Sequence, residues 1–332
     1  MIEVKHIGEI DLAAWESLLE SSPYRSFFQS ERCWQIYSAM SFMEAFGAAV
    51  YEDGRLAGLV IGYIQKDGGR LKSFLSRRAV INGGPLLSTD ISPEALSSLL
   101  KEIRKILKGK AIYVEIRNFE DYSAFRPVFE KCGFGYQRHL NFHVDTSSAE
   151  TVENNLGKSR KRDIKQSLKQ GAGIVDKPSE NQIEEFYRVL QILYREKIKT
   201  PLFPYEFFRY LFLQEWARFL LVEYDGRIVG GSVCVFVPRC ATYEWFVCGE
   251  DGVYKNIYPS TLATYAGIEF SQQASCTKFD MMGAGSPDKS YGVREFKAKF
   301  GGTLVEHGRF RHVFNPVLWS VGRLGVWIMK KL

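Results

Sequence analysis

A nine-residue segment occurs twice in altered form, as Val50-Tyr-Glu-Asp-Gly-Arg-Leu-Ala-Gly58 and as Val222-Glu-Tyr-Asp-Gly-Arg-Ile-Val-Gly230. Self-similarity constrains a fold more tightly than composition does, because each copy has to build the same supersecondary unit. Both copies read as strand, turn and strand. The Asp-Gly pair supplies the positive φ that a two-residue hairpin turn requires.

The likeness continues as an order of elements. After the first hairpin come a helix over Pro93 to Leu107, a β-rich run from Ala111 to Arg117, a short helix from Tyr122 to Lys131 and a strand ending near Val144. After the second come a helix over Pro259 to Gln273, a strand from Lys278 to Met282, a short helix from Val293 to Phe300 and a strand ending near Val313. Each copy needs a central sheet covered by helices, so the expected class is α/β (α+β) with mixed strands. A chain of 332 residues has room for two such units, since one core serves about 150 residues. The polar break after Asp145, with its helix-cap signal, sets the expected domains at 1–148 and 149–332.

Composition narrows the function classes. With 45% hydrophobic and 14% aromatic residues the chain is not globally disordered. A net charge of +6 suits anionic ligands or a phosphate-rich surface rather than a dedicated binder of duplex DNA. Six cysteines form no CxxC pair, and five histidines give no HExxH or zinc-finger spacing, so no metal site is expected. The N-terminus lacks the order of a signal peptide, which places the chain in the reducing cytoplasm. No apolar run reaches the roughly 18 to 20 residues of a membrane span. The stretch from Val317 to Leu332 is apolar with a basic end; it reads as a helix docked on its own domain, with the inner face of the membrane as the alternative contact.

The second half opens with a basic helix between Asn154 and Gly171. Lys158, Arg160, Lys161, Arg162, Lys165 and Lys169 cannot share one stripe at 3.6 residues per turn. Some are therefore simply solvated, while Arg160, Lys161 and Arg162 are the expected phosphate contacts. Helices over Asn181 to Lys199 and Tyr205 to Ala217 carry apolar stripes that read as core.

The segment from Asp280 to Gly302 is the most unusual. A strand ends at Met282, and a loop with Gly283 and Gly285 follows at its carboxyl end, where open α/β sheets place ligands. Tyr291 then precedes a short helix with Phe296 and Lys297, closed by Phe300-Gly-Gly. Of Lys297 and Lys299, one can point inward.

The duplicated unit, the Phe27-Phe-Gln-Ser-Glu-Arg-Cys-Trp34 element, the basic helix with Ile164, Ser167 and Gly171, and the Phe-Lys and Phe-Gly-Gly ending together resemble the FemABX family of non-ribosomal peptidyltransferases. The resemblance implies two tandem GNAT-like domains, each a mixed sheet flanked by helices, with the catalytic cleft in the second. It implies transfer of an aminoacyl group from aminoacyl-tRNA to an amine of a peptidoglycan precursor, UDP-linked or lipid-linked, without a cofactor. Lys297 then sits at the reacting centre and stabilises oxyanion charge, while Gly283, Gly285, Tyr291 and Phe296 line the substrate site. Two features depart from relatives of this kind. Neither half has the Gln/Arg-x-x-Gly-x-Gly/Ala loop that holds the pyrophosphate of acyl-CoA; the corresponding stretch reads Tyr254-Lys-Asn-Ile-Tyr-Pro-Ser-Thr261. The coiled-coil arm of some members is also missing, so the basic helix would have to meet the tRNA. The competing readings are an acyl-CoA-dependent N-acyltransferase of envelope or polysaccharide biosynthesis, and a non-catalytic binder of the precursor.

Overall fold

The computed structural model describes residues 1–66 and 77–331, with side chains described as far as Arg323. In chain order the elements begin with β1 (Ile2–His6), α1 (Leu12–Ser21), α2 (Glu31–Ala39), β2 (Met43–Glu52), β3 (Arg55–Gln65), β4 (Arg78–Gly83) and β5 (Leu86–Leu87). They continue through α3 (Pro93–Leu107), β6 (Tyr113–Asn118), α4 (Arg126–Lys131), β7 (Gly135–Gln137), β8 (Asn141–Asp145), α5 (Ala149–Asn155), α6 (Lys158–Lys169) and β9 (Gly173–Val175). Then come α7 (Glu180–Leu193), α8 (Tyr205–Phe212), β10 (Ala217–Tyr224), β11 (Arg227–Val237), β12 (Ala241–Gly249) and α9 (Pro259–Gln273). The chain ends with β13 (Lys278–Gly283), α10 (Gly292–Ala298), β14 (Thr303–Val305), β15 (Arg309–Val313) and α11 (Pro316–Lys331).

Local chemistry accounts for these elements. Asp53 and Gly54 have φ of 49° and 81°, and Asp225 and Gly226 have 51° and 69°, so both hairpins turn through two left-handed residues as expected. Helix α3 has Ser92 as its cap, accepting from the Ala95 amide, and Pro93 in its first turn. Its Ala95, Leu96, Leu99, Leu100, Ile103 and Leu107 recur at helical spacing and are all buried. Helix α8 stops at Phe212, short of the expected Ala217, which instead begins the strand β10. Phe207 and Phe208 of α8 are fully buried beside Phe246, the core role expected of that aromatic stretch.

The chain forms two units, one of Met1–His139 with Glu306–Leu332 and the other of Leu140–Val305. The sheet of the first has the order β1-β2-β3-β4-β6-β15-β7, with β5 on β3. Its β4 and β6 are parallel, whereas its other pairs are antiparallel. The sheet of the second has the order β14-β8-β13-β12-β11-β10-β9, with β12 and β13 parallel. Both are mixed sheets flanked by helices, which is the expected fold class.

The division of the chain differs from the expected cut after residue 148. Strand β8, which follows the first copy of the repeat, pairs with β13 and β14 of the second unit. Strand β15, which follows the second copy, pairs with β6 and β7 of the first. The last strand of each copy has therefore been exchanged. The two strands are each five residues long and alternate similarly, so neither length nor pattern says which sheet they join.

The element Phe27 to Trp34 has a structural task in the first unit. Gln29 is fully buried and donates to the carbonyls of Gly83 at 3.1 Å and Gly84 at 3.0 Å. Both glycines have positive φ, so an amide clamps the turn at the end of β4. In helix α11 the Trp319 ring meets Tyr113 edge-on at 4.5 Å, so the start of this helix docks on the first unit, while Val317 and Val321 are exposed. The rest of the expected apolar stretch lies beyond the described side chains. Among the described residues no helix is long and apolar enough to cross a membrane.

Candidate active site

In the second unit β12 and β13 pair from Ala241/Lys278 to Tyr243/Asp280, and there the pairing ends. Strand β12 stays with β11 as far as Gly249, while β13 shifts register against β8 after Asp280. The two neighbours part, and backbone groups that a ladder would satisfy are left at the carboxyl end of β13. Met282 takes φ of 57° at this point, and Asp280 holds the turn by accepting from the Met282 amide at 2.6 Å.

Lys297 enters this opening from α10. Its Nζ donates to the carbonyl of Met281 and, at 2.9 Å, to that of Gly283. The side chain is buried while Lys299 is exposed, which settles which of the two points inward. Burial pushes the Lys297 ammonium down from its ordinary pKa, and the carboxylates of Glu244 and Asp280 oppose the shift. Two of the three ammonium donors are used in these bonds, and one remains.

Glu244, on β12 just past the point where the strands part, is the partner that sequence reasoning did not single out. It is 4% exposed, and its Oε1 has no hydrogen-bond partner. Burial pushes its carboxyl up to about 7, although Lys297 and the Thr264 hydroxyl pull it down. Asp280 is fully buried: burial pushes its carboxyl up, but His143, 3.3 Å away on β8, and the Met282 amide hold it below the usual range. The exchanged strand thus contributes His143 to this site. The one sequence feature that marks Glu244 is a lone acid inside the run Ala241-Thr-Tyr-Glu-Trp-Phe, which does not say what the acid faces.

The glycine-rich loop is held by groups of its own helix. Arg294 donates from Nε to the Ala284 carbonyl at 3.1 Å and from Nη2 to the Ser286 carbonyl. Gly285 has φ of 78°, and a Cβ there would lie 2.9 Å from Cδ1 of Tyr291. Tyr291 therefore closes on the loop, with the rest of its ring exposed. Phe296 is half-buried and packs against Phe300, 5.3 Å between centroids.

The three expected phosphate contacts divide. Arg160 is buried on α6 with its guanidinium 4.4 Å from the Phe296 ring and 5.0 Å from that of Phe300. It also pairs with Asp163 at 3.3 Å and donates to the Phe296 carbonyl, so it braces α6 against α10. Lys161 and Arg162 are exposed; Arg162 pairs with Asp163 at 3.0 Å, and Lys161 lines a groove of about 480 Å³ with Glu153, Ile164 and Tyr265. Lys297, Gly283, Gly285, Tyr291, Phe296 and Arg160 are brought together around β13 and α10; Lys161 and Arg162 face solvent.

Residues 158–297 match the family described as Acetyltransferase (GNAT) domain. The crystal structure of FemX is similar at a TM-score of 0.72 and 15% identity, covering 96% of this chain and 99% of that one. The chain has a FemABX-like tandem GNAT fold. Its second unit carries the acetyltransferase domain, and the chain is an acyltransferase. A tandem GNAT protein from the clavulanic acid biosynthesis pathway is similar at a TM-score of 0.60 and 10% identity, covering 95% of this chain and 99% of that one. The C-terminal domain of a putative lysylphosphatidylglycerol synthetase from Agrobacterium fabrum is similar at 0.59 and 11% identity, covering 96% and 95%. A search of curated proteins finds no match. The helix that follows β12 in the second unit begins at Pro259. The start of that helix, α9, is where an acetyl-CoA pyrophosphate would be sought. Here the Ser260 amide donates to Asp251 Oδ1 at 3.1 Å, so a carboxylate already occupies one of its first donors.

Proposed function

We propose that the chain transfers an aminoacyl group from aminoacyl-tRNA to an amine of a peptidoglycan precursor. The observation that carries this reading is the buried Lys297 ammonium, fixed by two backbone carbonyls beside the parted strands and keeping one donor for a ligand. In the reaction the acceptor nitrogen bonds to the ester carbonyl carbon, the carbon–oxygen bond to the ribose breaks, and the ribose hydroxyl leaves with a proton from the amine. The third Lys297 donor stabilises the oxygen on which charge develops, an effect of about 3 kcal/mol for a donor aimed at an oxyanion. Glu244, with its carboxyl pushed up to about 7, can hold the amine proton near neutrality.

A donor without a pyrophosphate at α9 is favoured because Asp251 places negative charge at that helix start. The likeness to FemX and to a lysylphosphatidylglycerol synthetase domain supports an aminoacyl donor. The match to the Acetyltransferase (GNAT) domain favours the second reading, an acyl-CoA-dependent N-acyltransferase. Incubating the protein and a precursor amine with charged tRNA or with acyl-CoA separates the two. Release of uncharged tRNA with a new amide on the precursor is expected; release of free thiol supports the second reading, and tight precursor binding without product from either donor makes the protein a binder.

A further inference from the structure

Strands β6 and β15 of the first unit present a polar face. Val114, Ile116 and Phe310 point into the hydrophobic core, so the alternating residues Glu115, Arg117, Arg309 and Arg311 lie on the opposite face. The register puts Arg309 beside Arg117 and Arg311 beside Glu115. Like charges directly across a ladder are destabilising unless something neutralises them. Glu115 accepts from Arg117 Nε at 3.0 Å, from Arg309 Nη1 at 2.8 Å and from Arg311 Nη2 at 2.5 Å. Among the described residues these arginines have ion pairs with Glu115 alone. Among the described residues three guanidinium groups thus share one carboxylate, leaving two positive charges without an ion-pair partner.

The cluster is shielded but open to a ligand. Glu115 is 8% exposed, against 32% for Arg117, 24% for Arg309 and 21% for Arg311. Arg309 is pushed down to about 10, by burial first and by Arg117 next, while Glu115 is held well below the usual carboxylate range because the arginines outweigh its burial. Two of the guanidinium groups have further neighbours that fix their orientation. Arg309 is 2.8 Å from His139 Nε2, and Arg311 sits 4.7 Å from the Trp319 ring and 5.7 Å from that of Tyr113. Arg117 uses Nε on Glu115 and keeps both terminal nitrogens, while Arg311 Nε is buried without a partner.

We propose that this cluster is an anion subsite that takes the diphosphate group of a small-molecule ligand. A guanidinium fork matches phosphate oxygens through paired donors, and a diphosphate supplies the negative charge that Glu115 alone does not. That the ligand is the acceptor substrate rests on the function proposed above; the anion site itself does not.

The test is calorimetric titration of the whole chain with inorganic pyrophosphate at constant ionic strength. One saturable site is expected in the wild type, weakened at least about tenfold in Arg117→Gln and less in Arg117→Lys, which keeps charge but not the fork. Arg126→Gln, a surface arginine of the same unit paired with Glu130, should bind as the wild type does. Glu115→Gln removes the competing carboxylate and should tighten binding, the opposite sign from Arg117→Gln. Absence of saturable binding in the wild type, or unchanged binding in a folded Arg117→Gln, overturns the proposal. Lys297→Met should bind pyrophosphate normally. If the wild type binds it through Arg117 but transfers from neither donor, the functional reading fails and the subsite stands.

Discussion

The two copies of the repeat share a topology and differ at one joint. In the first unit β4 and β6 pair over their full length, from Arg78/Tyr113 to Gly83/Asn118. In the second, β12 and β13 stop pairing at Tyr243/Asp280. The helices after the second parallel strand differ in the same sense. Four residues before the glycine that ends each helix stand Phe129 in the first unit and Lys297 in the second, with Gly133 and Gly301 at φ of 81° and 80°. Phe129 is fully buried and stacks on Phe310 at 4.0 Å, whereas Lys297 is held by carbonyls that the parted strand exposes. A closed joint is filled by a ring, and an open joint is filled by an ammonium. At this one joint the two copies of a duplicated fold thus differ in kind, one closed by packing and the other holding a buried cation.

The largest effect expected from this comparison comes from moving the cation. Phe129→Lys places an ammonium in a hydrophobic core cluster, and should destabilise the first unit by at least about 3 kcal/mol. Thermal unfolding checks it; an unchanged midpoint would mean that the closed joint tolerates what the open one holds. Next comes the helix-ending glycine. A Cβ at Gly301 would lie 2.0 Å from the Asn155 carbonyl oxygen, while one at Gly133 would meet nothing nearer than His312 Nδ1 at 3.3 Å. Gly301→Ala should cost about 3 kcal/mol, combining left-handed strain and overlap, and Gly133→Ala about 1 kcal/mol. Denaturant midpoints compare them.

A smaller effect is the pH dependence set by Glu244. Its folded pKa is raised to about 7 from an ordinary 4.5, so the folded state binds the extra proton between those values. Stability therefore falls as pH rises through that window, by about 3 kcal/mol at most on this group's account. Glu244→Gln should flatten the slope between pH 4.5 and 7. A slope equal to the wild type's would remove Glu244 as its source.

The repeat made most of the fold legible, because Asp-Gly turns and helical periodicity are local signals. Helices α3 and α9 lie at the residues that the order of elements in the repeat predicts. The exchange of β8 and β15 was not legible. Both strands alternate and both sheets offer an equivalent neighbour, so the choice is made by long-range pairing that no local pattern encodes. In the site, Lys297 could be read from its motif, but its partners could not. Glu244 and His143 come from other strands, and their approach depends on register. Arg160 looked like one of several equivalent helix cations until its burial against Phe296 set it apart from Lys161 and Arg162.

Lys297 in the open joint is the proposed centre of the chemistry, and Lys297→Met tests that role most directly. Single-turnover transfer from charged tRNA to the precursor amine should fall by at least about a hundredfold, with circular dichroism and pyrophosphate binding unchanged. A folded Lys297→Met protein that transfers at the wild-type rate would contradict it.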